Sequence, residues 1–204
     1  MGGKVPSWFR KDRTEALADG IFATVMTILV LSLVVPTITG PNASATLEDD
    51  LFHLLPDLFA YIITFIFLGV LWISHQNIFS HIELMDLKTI WINILLLLSV
   101  GLIPFSTALL GRYYLEALAV RVYGINALAV SLLYNILWFY PRSQRLTHEE
   151  KRPEIIAKRS RVVIVAPIIY TLAIAFSYID SEVSLGLFAF VTIFYIVFGG
   201  RYFD

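Results

Sequence analysis

Asp19, His75 and Asn93 stand inside long apolar runs, where a polar side chain is expensive and is by default functional. Arg13 sits just ahead of the first run, and Trp72 and Trp91 lie beside His75 and Asn93. A carboxylate, an imidazole, an amide, a guanidinium and two indoles at one membrane depth can do three things. They can pin helices together by hydrogen bonds, act as a gate or proton-sensitive element, or hold a metal. The pinning network is the reading favoured here. The metal reading is weakest, because His75 and His81 are six residues apart and do not share a helix face. His53 and His148 fall between the apolar runs, and the chain has no cysteine. There is also no Gly-x-Ser-x-Gly or His-Glu-x-x-His string, and no acids are paired within a run. No enzyme chemistry and no cofactor are therefore expected.

A second pattern lies on the first run. On a helical wheel, Leu17, Thr27, Ile28, Leu31 and Val35 all fall within about 60° of Thr24, whereas Asp19 falls about 140° away. This predicts a stripe of aliphatic and hydroxyl side chains on one face. Asp19 is expected to face neighbouring helices of its own subunit. The stripe is left to meet lipid, a second subunit or a pore, and periodicity does not choose among them.

These residues need helices to carry them. The 204-residue chain is 58% hydrophobic and only 15% charged, with mean hydropathy +0.76. A soluble domain carries about 25% charged residues, so the composition excludes a water-soluble globule and leaves a polytopic membrane protein. Six apolar stretches, residues 17–36, 54–79, 90–110, 116–140, 162–179 and 183–198, each approach the length of a spanning helix. They predict one all-α membrane domain over 1–204, with residues 177–182 as a tight hairpin. The first stretch reads as a retained helix rather than a signal peptide.

Charge gives the orientation. With six spans, one side holds Lys4, Arg10, Lys11, Arg13, Lys88, Arg142, Arg145, Lys151, Arg152, Lys158, Arg159, Arg161 and Arg201, thirteen of the 15 basic residues. The other side keeps Arg112 and Arg121, with acids at Glu48, Asp49, Asp50, Asp57, Glu116, Asp180 and Glu182. Both termini are thus expected in the cytoplasm of a cell-membrane protein. The basic segment 141–161 is expected to be a loop with a short helix that sets topology, with anionic-lipid binding as the other use. Asn42-Ala-Ser44 matches a glycosylation acceptor. A net charge of −1 points to no nucleic-acid partner.

Arg13-Thr-Glu-Ala-Leu-Ala-Asp19 resembles the Arg-x-x-x-Phe-Ser-Asp motif of the transmembrane protein 175 family of potassium channels. Trp72-Ile-Ser-His75 with Phe79, Trp91-x-Asn93 and Pro104-Phe105-x-Thr107 are similar to its later elements, in the same order. Leu17 and Ala18 replace the motif's Phe-Ser, and Thr24 stands where the family carries a bulky aliphatic residue. The resemblance implies a six-helix subunit of the prokaryotic single-repeat type, assembled as a homotetramer around a pore lined by the first helix. It implies potassium as the permeant ion. The pore would be lined by Thr24, Thr27, Ile28 and Leu31, while Arg13, Asp19, Trp72, His75, Trp91 and Asn93 would form a packing or gating network. The family lacks a carbonyl filter, and so does this chain. Its nearest string, Ser99-Val-Gly-Leu102, is expected in an uninterrupted helix. Selectivity would then come from partial dehydration at aliphatic rings, with hydroxyls as replacement oxygens. The competing reading is a small proton-coupled transporter using Asp19 and His75. The absence of matching halves counts against it.

Overall fold

The computed structural model describes residues 10–36, 43–148 and 153–203, with the side chains of 43–46, 153–156, 158, 159 and 198–203 excepted. Expectations resting on Lys4, Asn42, Lys151, Arg152, Lys158, Arg159 and Arg201 lie outside that description. The described residues form α1 (Lys11–Leu29), a 3-10 turn (Val30–Ser32), α2 (Ala43–His53), α3 (Leu55–His81), α4 (Leu87–Gly101), α5 (Ile103–Arg112), α6 (Ala117–Ser143), α7 (Pro153–Phe176) and α8 (Ser181–Phe203).

Among the described residues four helical stretches are long and apolar enough to cross a bilayer: Lys11–Ser32, Leu55–His81, Leu87–Arg112 and Ala117–Ser143. Ser160–Phe176 and Ser181–Val197 are shorter apolar stretches. The protein is therefore an all-helical membrane protein, as its composition requires. Helix α3 packs on α1, α5 and α8, while α6 packs on α4, α5 and α7. Trp138, Tyr170, Phe22, Phe79 and Leu68 fill the core between them.

Helix α1 starts at Lys11, ahead of the expected Leu17, and its α-helical part stops at Leu29. The 3-10 turn then gives way to extended backbone at Leu33, three residues before Pro36. Helix α2 was not expected, because eleven residues containing Glu48, Asp49 and Asp50 read as a polar loop. The third stretch is also not the plain helix expected around Ser99–Leu102. Pro104 has no N–H to give to the preceding turn, and the helix breaks between Gly101 and Ile103. Asn126 of α6 fills the break. With its amide oriented to suit its neighbours, it donates to Ser99 O at 3.0 Å and accepts from Ile103 N at 3.3 Å and Ser106 Oγ at 3.0 Å.

The basic segment differs as well. Helix α6 continues through Pro141 to Ser143, and Pro153 opens α7 rather than a separate short helix. Between them Arg145 adopts a left-handed conformation, φ 57°. That turn lets residues 146–148 pair with the α3–α4 connection. Glu83 N and Leu84 N donate to Leu146 O at 2.8 and 3.0 Å, and His148 N donates to His81 O at 3.0 Å. Asp86 caps α4 by accepting from Thr89 N and Thr89 Oγ1, and it also accepts from Tyr140 Oη at 2.7 Å. Burial pushes the Asp86 carboxyl up, but the hydrogen bonds from Thr89 and Tyr140 together outweigh it and hold it below its usual value.

Candidate functional site

Helix α1 has two different faces. Ala18, Phe22, Val25 and Leu29 recur at helical spacing and are buried against the bundle. The opposite side is exposed in the described chain. Leu31 is 73% exposed, Ile28 46% and Leu17 50%, and Thr24 and Thr27 are also exposed. A Cβ added at Gly20 would meet no atom within 4 Å. Of the four long stretches α1 is the least buried, so most of its surface must be covered by something outside this chain.

The two hydroxyls on this face are turned back on their own helix. Thr24 Oγ1 donates to Gly20 O at 2.7 Å. Thr27 Oγ1 donates to Ala23 O at 3.0 Å and Thr24 O at 2.8 Å. Each hydroxyl proton is thereby engaged by the backbone, and the oxygen lone pairs are left for the outside. A cation is served by lone pairs and repelled by protons, so this orientation suits a positively charged visitor.

The other expected residues separate into two groups. Asp19 Oδ1 accepts from Trp72 Nε1 at 2.9 Å and from Gln76 Nε2, joining α1 to α3. Asp19 therefore faces α3 of its own subunit, as expected, while remaining exposed at the edge of the open face. The buried face is centred further round the helix than the stripe alone indicates. His75 and Asn93 are both 0% exposed and share a 2.8 Å hydrogen bond between Nε2 and Oδ1, joining α3 to α4. The His75 ring stacks on Phe79 at 4.3 Å and lies 5.9 Å from Phe22 of α1. Among the described residues His75 Nδ1 and Asn93 Nδ2 have no hydrogen-bond partner. Among the described residues no hydrogen bond joins Asp19 to His75. Arg13 and Trp91 are exposed and stand apart from both groups.

Sequence reasoning missed Gln76, although it lies on the same face as Trp72, four residues on. It also missed Asn126, whose role depends on a helix break that only the fold brings to it.

The family model described as endosomal/lysosomal potassium channel TMEM175 matches residues 13–104. A potassium channel of Chamaesiphon minutus is 31% identical over 199 residues, covering 94% of this chain and 96% of its own. A potassium channel of Streptomyces collinus is 26% identical over 192 residues, covering 90% of each. The crystal structure of a lysosomal potassium-selective channel TMEM175 homolog from Chamaesiphon minutus superposes with a TM-score of 0.82 at 29% identity, covering 92% of this chain and 96% of that one. With that identity and coverage over nearly the whole chain, and with the helical architecture in common, the protein belongs to the TMEM175 family of potassium channels, whose members are channels and not enzymes.

Proposed function

We propose that this protein is a potassium-permeable cation channel whose permeation path is lined by the open face of α1. The observation that carries the proposal is the face itself: Thr24, Thr27 and Ile28 of α1 and Leu31 of the 3-10 turn that continues it lie exposed along one side. Four copies of the chain around an axis would turn them into successive rings about 5 Å apart. The Ile28 and Leu31 rings strip water from the ion, a step potassium tolerates better than sodium. The oxygens at Thr24 and Thr27 replace part of the lost hydration shell. No backbone carbonyl filter is needed. In this reading each subunit spans the membrane six times with both termini in the cytoplasm, and the homotetramer is the working unit. Potassium is the permeant ion, and the lipid bilayer covers the outer helices.

Cysteine scanning tests the proposal directly, since the native chain has no cysteine. In channels reconstituted in planar bilayers, a charged methanethiosulfonate reagent should block Thr24→Cys, Ile28→Cys and Leu31→Cys. Phe22→Cys and Leu29→Cys, on the buried face, should not be blocked. Leu31→Ala should raise conductance and lower potassium-over-sodium selectivity. Conducting channels that escape block at all three positions would refute the assignment.

A further inference from the structure

At the end of the bundle that carries α2, helices α3, α5, α6 and α8 leave a cavity of about 350 Å³. Phe59, Leu110, Leu185 and Phe188 make its walls apolar, and Tyr114 stands at its exposed mouth. Helix α1 contributes nothing to it, so it is separate from the face discussed above. Two polar groups also line it. Thr64 is 1% exposed and Tyr123 6%. Thr107 Oγ1, buried behind them, donates to Thr64 Oγ1 at 3.3 Å, and Thr64 Oγ1 lies 3.4 Å from Tyr123 Oη.

The protons of this chain do not balance. Three hydroxyls bring three protons, and only two hydrogen bonds join them. If Thr64 donates to Tyr123, the Tyr123 proton is left over. If Tyr123 donates to Thr64, the Thr64 proton is left over. In either case the spare donor belongs to a residue that lines the cavity, and among the described residues it has no acceptor. A buried donor of this kind calls for a partner. A single water would satisfy it but would fill only a fraction of the apolar space. The volume falls in the range of small-molecule sites, which pair apolar walls with a few placed polar groups.

We propose that this cavity is a binding site for a neutral amphiphile, an apolar body ending in an oxygen acceptor held by the Thr64–Tyr123 pair. A free long-chain alcohol and the ester region of a bilayer lipid share that chemistry.

The test uses the full chain in phosphatidylcholine nanodiscs with three photoreactive diazirine probes: a long-chain alkanol, the matching alkane, and a phosphatidylcholine carrying the diazirine in one acyl chain. Labelled peptides are read by mass spectrometry. Crosslinks should fall on residues 55–64 and 185–189, and unlabelled octanol should compete them away. The combined Thr64→Val and Tyr123→Phe variant should need about ten times more octanol, the weight of one buried hydrogen bond. Ala189→Leu fills the cavity from its wall, keeps both hydroxyls, and should lose the labelling. Stronger labelling by the alkanol identifies a free amphiphile as the occupant, and stronger labelling by the phosphatidylcholine identifies a bilayer lipid. If the double variant does not fold, Ala189→Leu decides alone. Absent labelling of these segments, equal capture of alkane and alkanol, or labelling that folded variants leave unchanged would overturn the proposal.

Discussion

Replacing Asn126 with leucine removes the one side chain that bridges the break between α4 and α5, and the structure sets the size of the effect. Asn126 serves three groups: Ser99 O, Ile103 N and Ser106 Oγ. Two of them have other partners. Ser99 O also accepts from Leu102 N at 3.3 Å, and the single Ser106 Oγ proton can turn to Ile103 O at 3.0 Å once the amide is gone. Among the described residues the Ile103 N–H has Asn126 alone. The variant therefore leaves one orphaned backbone donor in an apolar layer, not three. The expected loss is that of a single unsatisfied group, about 1–3 kcal/mol. Leucine keeps the branched shape of the amide and is no smaller, so no cavity term adds to it. Ser106→Ala, which removes only one acceptor-side partner of Asn126, should cost less than about 1 kcal/mol. Reversible unfolding in detergent micelles measures both, and amide exchange at Ile103 should quicken selectively in Asn126→Leu. Equal losses in the two variants, or no change at Ile103, would show that the break is held by something other than this amide.

Three further outcomes follow from the packing and the hydrogen bonds. Gly111→Ala drives a Cβ into the Asp57 carboxylate and to 3.0 Å from the Asp57 Cα, so the carboxylate must turn away and the α3 backbone must give by a few tenths of an ångström, and a thermal melt should show a loss of about 1–3 kcal/mol. Asn93→Leu orphans the His75 imidazole at about 1–3 kcal/mol, while the double variant His75→Phe with Asn93→Leu should recover part of it, a non-additivity that a double-mutant cycle reads. Asp86→Ala removes a cap at a cost of about 1 kcal/mol at neutral pH. Because the folded Asp86 carboxyl lies below its usual value, the stability it contributes is complete above the unfolded pKa of about 3.9 and is lost as pH falls through the folded one. Unfolding curves of wild type and Asp86→Ala should therefore converge at acid pH, and a gap that persists there would refute the ionic part of the argument.

The long apolar stretches were legible because their length and composition leave a chain no other way to satisfy its backbone. The exposed side of α1 was legible for a related reason: Thr24, Ile28 and Leu31 share a face by spacing alone. Asp19 meets a neighbouring helix of its own subunit as its angle indicated, but its exposure was harder to foresee. Its angle from Thr24 was clear, but the centre of the buried face depends on which of Ala18, Phe22, Val25 and Leu29 meets α3, and that is a tertiary fact. The same holds for Asn126. Pro104 announced an interruption, yet nothing local says that an amide on another helix stands opposite it. Helix α2 was missed because eleven residues carrying acids lack the apolar length by which the other helices were found.

The one-sided packing of α1 has a consequence for how such a chain can change over evolutionary time. Thr24, Thr27, Ile28 and Leu31 lie on the exposed side of the described subunit, whereas Ala18, Phe22, Val25 and Leu29 are committed to the interior. The two sets alternate along α1 and the 3-10 turn that continues it, so neighbouring codons answer to different selective pressures. One set is judged by whether the subunit folds, the other only by what its outer surface meets. A lineage can therefore explore new residues on that surface through single mutations without passing through unfolded intermediates.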